Sequence, residues 1–117
     1  MVLVDTSVWV DHFRIANLPL VRLLREAKVV VHPFVVGELA CGRLVRRDEV
    51  LGLLGKLPRL APVSAAEAMA FIDANGLAGS GVGWVDVHLL AAARLARASV
   101  LTSDNALARA ARTLGLA

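Results

Sequence analysis

The sequence predicts an α/β fold in which helices cover both faces of a mainly parallel sheet. Met1-Val2-Leu3-Val4, Val29-Val30-Val31 and Val100-Leu101-Thr102 are continuous apolar runs rather than alternating ones, which is how strands buried on both faces read. Helix-like segments separate them, so strands and helices alternate along the chain. Ligands of such sheets bind beyond the carboxyl ends of the strands, and two carboxylates, Asp5 and Asp104, fall at those ends.

Residues 1–5 are too short for a helix and read as the first strand. Thr6-Ser7 can cap a helix that carries Val8, Trp9, Asp11 and His12 in its first turns, and Asn17-Leu18-Pro19 breaks it. Pro19 suits the first turn of a second helix, which runs through about Ala27. Val29–Val31 is the second strand, His32-Pro33 its exit, and Pro33 opens a helix that carries Glu38. Arg43 to Leu54 continues as helix, in one piece or two. Residues 59–63 hold a short strand interrupted by Pro62, which assigns it to a sheet edge. Ser64-Ala65-Ala66-Glu67 is a capping box, opening a helix to about Asn75. Gly76, Gly79, Gly81 and Gly83 mark a loop expected to be mobile. A helix from about Trp84 to Arg97, the third strand at 100–102 and a last helix from Asn105 to Leu114 complete the chain.

At 117 residues the chain is expected to form one domain, 1–117, with a single core. A 57% hydrophobic composition excludes a disordered chain. No apolar stretch is long and charge-free enough to span a bilayer, and the N-terminus carries no basic region or cleavage pattern of a secretory signal. Cys41 is the only cysteine, which rules out an internal disulfide and fits a reducing, cytoplasmic setting. Its apolar helix-like surroundings predict a buried, structural thiol. The net charge of +3 rests on eleven arginines and two lysines. Arginine's planar fork suits phosphate, so this balance permits nucleic-acid binding, and it equally fits an arginine-rich proteome.

Four of the ten acids sit where an apolar segment meets a turn or lie within one: Asp5, Glu38, Asp86 and Asp104. Burying a carboxylate without a partner is costly, so four in one small domain ask for a common cation. Carboxylates without a cysteine cluster select hard ions, chiefly Mg²⁺ or Mn²⁺. Such ions acidify water and neutralise phosphate oxygens. Each acid also has a purely structural reading: Asp5 as a turn residue, Asp104 as a helix N-cap, Asp86 as a first-turn dipole partner, Glu38 as an exposed helical glutamate. Thr6, Ser7, Thr102 and Ser103 flank the strand-end acids and can orient carboxylates or cap helices. Arg43, Arg46 and Arg47 form the densest basic cluster, a candidate contact for an RNA backbone or a solvated helix face. His32 and His88 read as structural rather than proton-shuttling. Trp9 and Trp84 read as core or interface anchors, since no Tyr and only three Phe argue against an aromatic nucleic-acid platform. There is no P-loop, no dinucleotide-binding glycine pattern and no zinc spacing.

Taken together, four segments have a familiar form. Val4-Asp5-Thr6-Ser7-Val8-Trp9 resembles the opening of PIN-domain proteins, particularly VapC-type toxins of toxin–antitoxin pairs. Glu38-Leu39-Ala40-Cys41-Gly42, the segment Gly83 to Ala93 around Asp86, and Leu101-Thr102-Ser103-Asp104-Asn105-Ala106-Leu107 resemble the second, third and fourth motifs of that family, in order and across essentially the whole chain. The resemblance implies a three-layer α/β/α sandwich and a Mg²⁺- or Mn²⁺-dependent endoribonuclease. Asp5, Glu38, Asp86 and Asp104 are then the acidic quartet and Thr102 a supporting hydroxyl, with Thr6 beside it. Water attacks a backbone phosphorus and the 3′-oxygen leaves. The resemblance also implies a homodimer and a VapB-type antitoxin, for which the apolar helix faces around 8–24 and 36–54 are a docking surface. Competing readings are a non-cleaving PIN-like RNA- or protein-binding module and a phosphoacceptor domain; neither Lys28 nor Lys56 stands where the latter wants its lysine.

Overall fold

The computed structural model describes residues 1–117. Its sheet has three strands, β1 (Val2–Val4), β2 (Val29–Val30) and β3 (Ser99–Leu101), all parallel in the order β2-β1-β3. Val2 registers with Val29 on one side and Ser99 on the other, so the first strand of the chain is the central one. Leu3, Val4 and Val31 are fully buried, as continuous apolar runs between covering layers require.

Seven helices flank the sheet: α1 (Thr6–Arg14), α2 (Leu18–Arg25), α3 (Pro33–Cys41), α4 (Arg47–Leu54), α5 (Ala65–Asn75), α6 (Trp84–Ala96) and α7 (Asn105–Thr113). The architecture is the expected α/β sandwich. α6 and α7 pack on β3, α5 packs on α6, and α1 and α4 pack on α3. Val87 to Ala93 in α6 are buried on every side, which marks it as the central helix. Ala91, Ala92 and Ala93 are small enough to let the sheet and α5 approach together. No helix is long and apolar enough to cross a membrane.

Local chemistry differs from expectation at two places and decides a third that the sequence leaves open. The cap of α1 is Asp5 rather than Thr6-Ser7: its carboxylate accepts from the Thr6 N–H, and an ionised acceptor is a stronger cap than a hydroxyl. Arg43–Leu54 is not one helix. α3 ends at Gly42, and Arg46 adopts a left-handed backbone (φ +56°) before α4 begins. Residues 59–63 form no strand. Arg59 makes a single parallel bridge to Val31, closed by Val31 N–H to Pro58 O and Leu60 N–H to Val31 O, both 2.9 Å. Pro62 has no N–H with which to continue the ladder.

Other signals hold. Asn17 caps α2 through the Leu20 N–H at 3.0 Å, with Pro19 in the first turn. Asn17→Ala is expected to cost about 1 kcal/mol in urea unfolding. The Ser64–Glu67 capping box forms in both directions. Gly76 ends α5 in the left-handed region. Gly81 has φ +93°, and a Cβ there would also press on Ala106 at 3.3 Å.

Candidate active site

Parallel topology brings the candidate acids to one edge. β1 and β3 end at Val4 and Leu101, and Asp5 and Asp104 follow in the turns beyond. α3 starts directly after Val31-His32 at the same edge, carrying Glu38 in its second turn. α6 enters β3 from the opposite edge, and its 13 residues span about 20 Å. Its first turn, with Asp86, therefore returns to the carboxyl ends of the strands.

Asp5 is the anchor and is 7% exposed. Its Oδ1 accepts from the Thr6 N–H (2.8 Å), and its Oδ2 accepts from the hydroxyls of Ser7 (2.9 Å) and Thr102 (2.7 Å). The same hydroxyls accept from the loop after β3: Ser103 N–H donates to Ser7 Oγ (3.1 Å) and Asp104 N–H to Thr102 Oγ1 (3.0 Å). Each hydroxyl proton is thereby aimed at Asp5, and one carboxylate organises both strand ends. Thr6 faces elsewhere: its hydroxyl donates to Glu38 Oε1 at 2.7 Å, tying exposed Glu38 to the cluster. Asp104, also exposed, caps α7 through the Leu107 N–H at 2.8 Å.

Asp86 is half-buried, and its Oδ2 accepts from the Gly83 N–H at 3.0 Å. Burial chiefly pushes its carboxyl pKa above the ordinary value. The Gly83 hydrogen bond opposes that shift, and repulsion from Asp5, Asp104 and Glu38 adds to it. Asp86 thus feels the other three acids. No cation of the protein relieves them, because the only salt bridge joins Lys28 to Glu26. Only Asp5 is buried outright; Glu38 and Asp104 face solvent, so the expectation of four buried carboxylates holds for one.

The donor set suits a hard divalent cation: only carboxylate oxygens, excess negative charge, and one oxygen without a protein partner on each of Glu38, Asp86 and Asp104. As they stand, no three acidic, histidine or cysteine side chains are grouped closely enough to hold a metal ion.

The basic candidates lie beside Glu38. Arg43 and Arg46, with Arg14 from α1, line an open groove of about 600 Å³ that also contains Glu38. Arg47 instead donates to the Ala40 carbonyl at 3.0 Å, bracing the break between α3 and α4. Two partners were not singled out from sequence. Arg14 joins the groove only through the packing of α1 on α3. Asp11, which is not among the four acids picked out by position, accepts from the Ser103 hydroxyl at 3.2 Å and links α1 to the β3–α7 turn.

His32 and His88 are buried, as structural histidines are. His32 Nδ1 accepts from the Phe34 N–H at 3.0 Å, so its proton belongs on Nε2, which has no partner. Burial, with a smaller contribution from His88, lowers the His32 pKa to about 4. Cys41 is exposed rather than buried, because it ends α3 on the solvent side. Trp9 is core, whereas Trp84 is 45% exposed.

Comparison with known proteins agrees with the fold. The family model described as PIN domain matches residues 2–113. The chain is 40% identical over 118 residues to a protein named Ribonuclease VapC32 in two strains of Mycobacterium tuberculosis, CDC 1551 / Oshkosh and ATCC 25618 / H37Rv. The alignment covers all of this chain and 95% of each relative.

Proposed function

The chain belongs to the PIN-domain family, and on that footing we propose that it is the endoribonuclease toxin of a VapBC-type toxin–antitoxin pair, using Mg²⁺ or Mn²⁺ held by Asp5, Glu38, Asp86 and Asp104. The observation that carries the reading is that Asp86, whose carboxyl pKa is raised chiefly by burial, is raised further by Asp5, Asp104 and Glu38, while none of the four acids has a salt-bridge partner. A divalent ion bound there supplies charge neutralisation at a phosphate and a more acidic water.

The chain's own residues do the positioning. Asp5 is held by three donors, against one for each of the other three acids. Thr6 fixes Glu38, and Gly83 fixes Asp86. Arg14, Arg43 and Arg46 offer the neighbouring groove to backbone phosphates that the acids alone would repel. Residues 1–117 act as one domain, in the cytoplasm and as a homodimer. A second, apolar groove of about 380 Å³ between α1, α2 and α4, lined by Trp9, Phe13, Leu24, Leu53 and Leu54, suits an amphipathic antitoxin helix.

The test is RNA cleavage with Mg²⁺ or Mn²⁺ against an EDTA control, with the new ends mapped. Metal-dependent cuts that leave a 3′-hydroxyl are expected. RNA binding that survives EDTA without any cleavage would establish a non-cleaving module instead. Thr6→Val keeps the side chain's size and removes the bond to Glu38. It is expected to lower cleavage about tenfold with unchanged thermal stability, the scale of losing a group that orients a ligand. Cleavage at the wild-type rate would show that Glu38 needs no tether.

A further inference from the structure

Two aromatic side chains remain solvent-facing at the edge that carries the acids. Trp84 is 45% exposed and Phe34 is 37% exposed. Both are placed by the acid-bearing helices: Phe34 lies one turn before Glu38 on the same face of α3, whereas Trp84 shares the first turn of α6 with Asp86 but lies two residues away on the face of His88. They are not loose surface rings. The buried His88 ring meets Trp84 edge-on (4.6 Å, 86°) and Phe34 at a tilt (4.8 Å, 58°), and His32 meets Phe34 edge-on at 5.0 Å. Four rings from two helices and one strand exit form a contiguous chain, His32–Phe34–His88–Trp84, in which Phe34 and Trp84 are the exposed members.

We propose that Trp84, braced by His88 and flanked by Phe34, is a stacking platform for an unpaired nucleobase of the RNA substrate next to the cleaved phosphate. The inference rests on the ribonuclease reading and adds a substrate feature to it. An RNA strand that runs from the arginine groove across the acids and on past this edge brings its neighbouring bases to the first turns of α3 and α6. A base presents a flat apolar face, and an indole already held in place loses little freedom when it stacks. The low aromatic content of the chain argues against such a platform; what favours one is that the two exposed rings lie in the first turns of the helices that carry Glu38 and Asp86.

Trp84 and Trp9 are the only tryptophans, and Trp9 is buried, so fluorescence isolates the platform. In the Asp5→Asn protein, titration with a short oligoadenylate is expected to quench tryptophan emission. In the same background Trp84→Phe, which keeps a ring, is expected to bind with similar affinity by anisotropy but without quenching. Trp84→Leu, which keeps apolar area without a ring face, is expected to bind about tenfold more weakly. An abasic strand of equal length is expected to bind the parent as weakly as oligoadenylate binds Trp84→Leu. Binding without quenching overturns the proposal. So does wild-type affinity in Trp84→Leu, or a Trp84→Leu protein changed only in its oligomeric state, which would assign the face to a second copy. Cleavage by the wild-type enzyme is read separately: if Trp84→Leu cuts with unchanged KM, the platform fails and the ribonuclease reading stands.

Discussion

Asp5→Asn is expected to lower RNA cleavage by on the order of a hundredfold to a thousandfold while the protein stays folded. The variant keeps the shape of the side chain and one acceptor oxygen for the α1 cap. Its amide would meet the Ser7 and Thr102 hydroxyls, which can rotate to accept instead. What disappears is the charge held most firmly in the cluster. Repulsion on Asp86 falls with it, so the Asp86 pKa moves back toward its ordinary value, and affinity for a divalent ion drops. Cleavage rates measured beside thermal melting separate chemistry from folding. A folded variant that cuts RNA at the wild-type rate would remove Asp5 from the mechanism.

The second large effect is on stability in acid. His32 titrates at about 4 in the folded protein against 6.5 when unfolded. Between those values the unfolded chain binds the proton that the folded chain refuses, so stability falls as pH drops from 6.5 toward 4. The full loss is about 3 kcal/mol. Asp86 works in the opposite direction: a raised carboxylate pKa costs stability at higher pH and gives it back in acid. The His32 contribution is therefore best read as a difference. His32→Asn keeps an N-cap acceptor for the Phe34 N–H and removes the titration. Urea midpoints measured from pH 7 to pH 4 are expected to fall more steeply for the wild type than for the variant. Parallel slopes would show that His32 takes up its proton without unfolding the chain.

Much of the fold was legible because its signals are local. Continuous β-branched runs announced the three parallel strands, and Pro19, Pro33 and the Ser64–Glu67 box announced helix starts that the structure repeats. The readings left open or overturned at these segments share one cause. Whether Arg43–Leu54 is one helix or two depends on the backbone of Arg46, and whether 59–63 is a strand depends on a partner at Val31; neither is written in the segment itself. The exposure of Cys41 likewise depends on which side of α3 the sheet covers.

By itself the sequence determined the class of fold, the four acids worth attention and, through its motifs, the family. Residue type and spacing along the chain carry that information directly. Only the tertiary structure decided how those acids work together. It placed Thr6 on Glu38 and gave Ser7 and Thr102 to Asp5, it drew Asp11 and Arg14 toward the site, and it left Trp84 exposed while burying Trp9. The physical reason is separation along the chain. Thr102 and Asp5 meet across 97 residues and Thr6 and Glu38 across 32, and contacts of that range exist only once the parallel sheet has brought its strand ends to one edge.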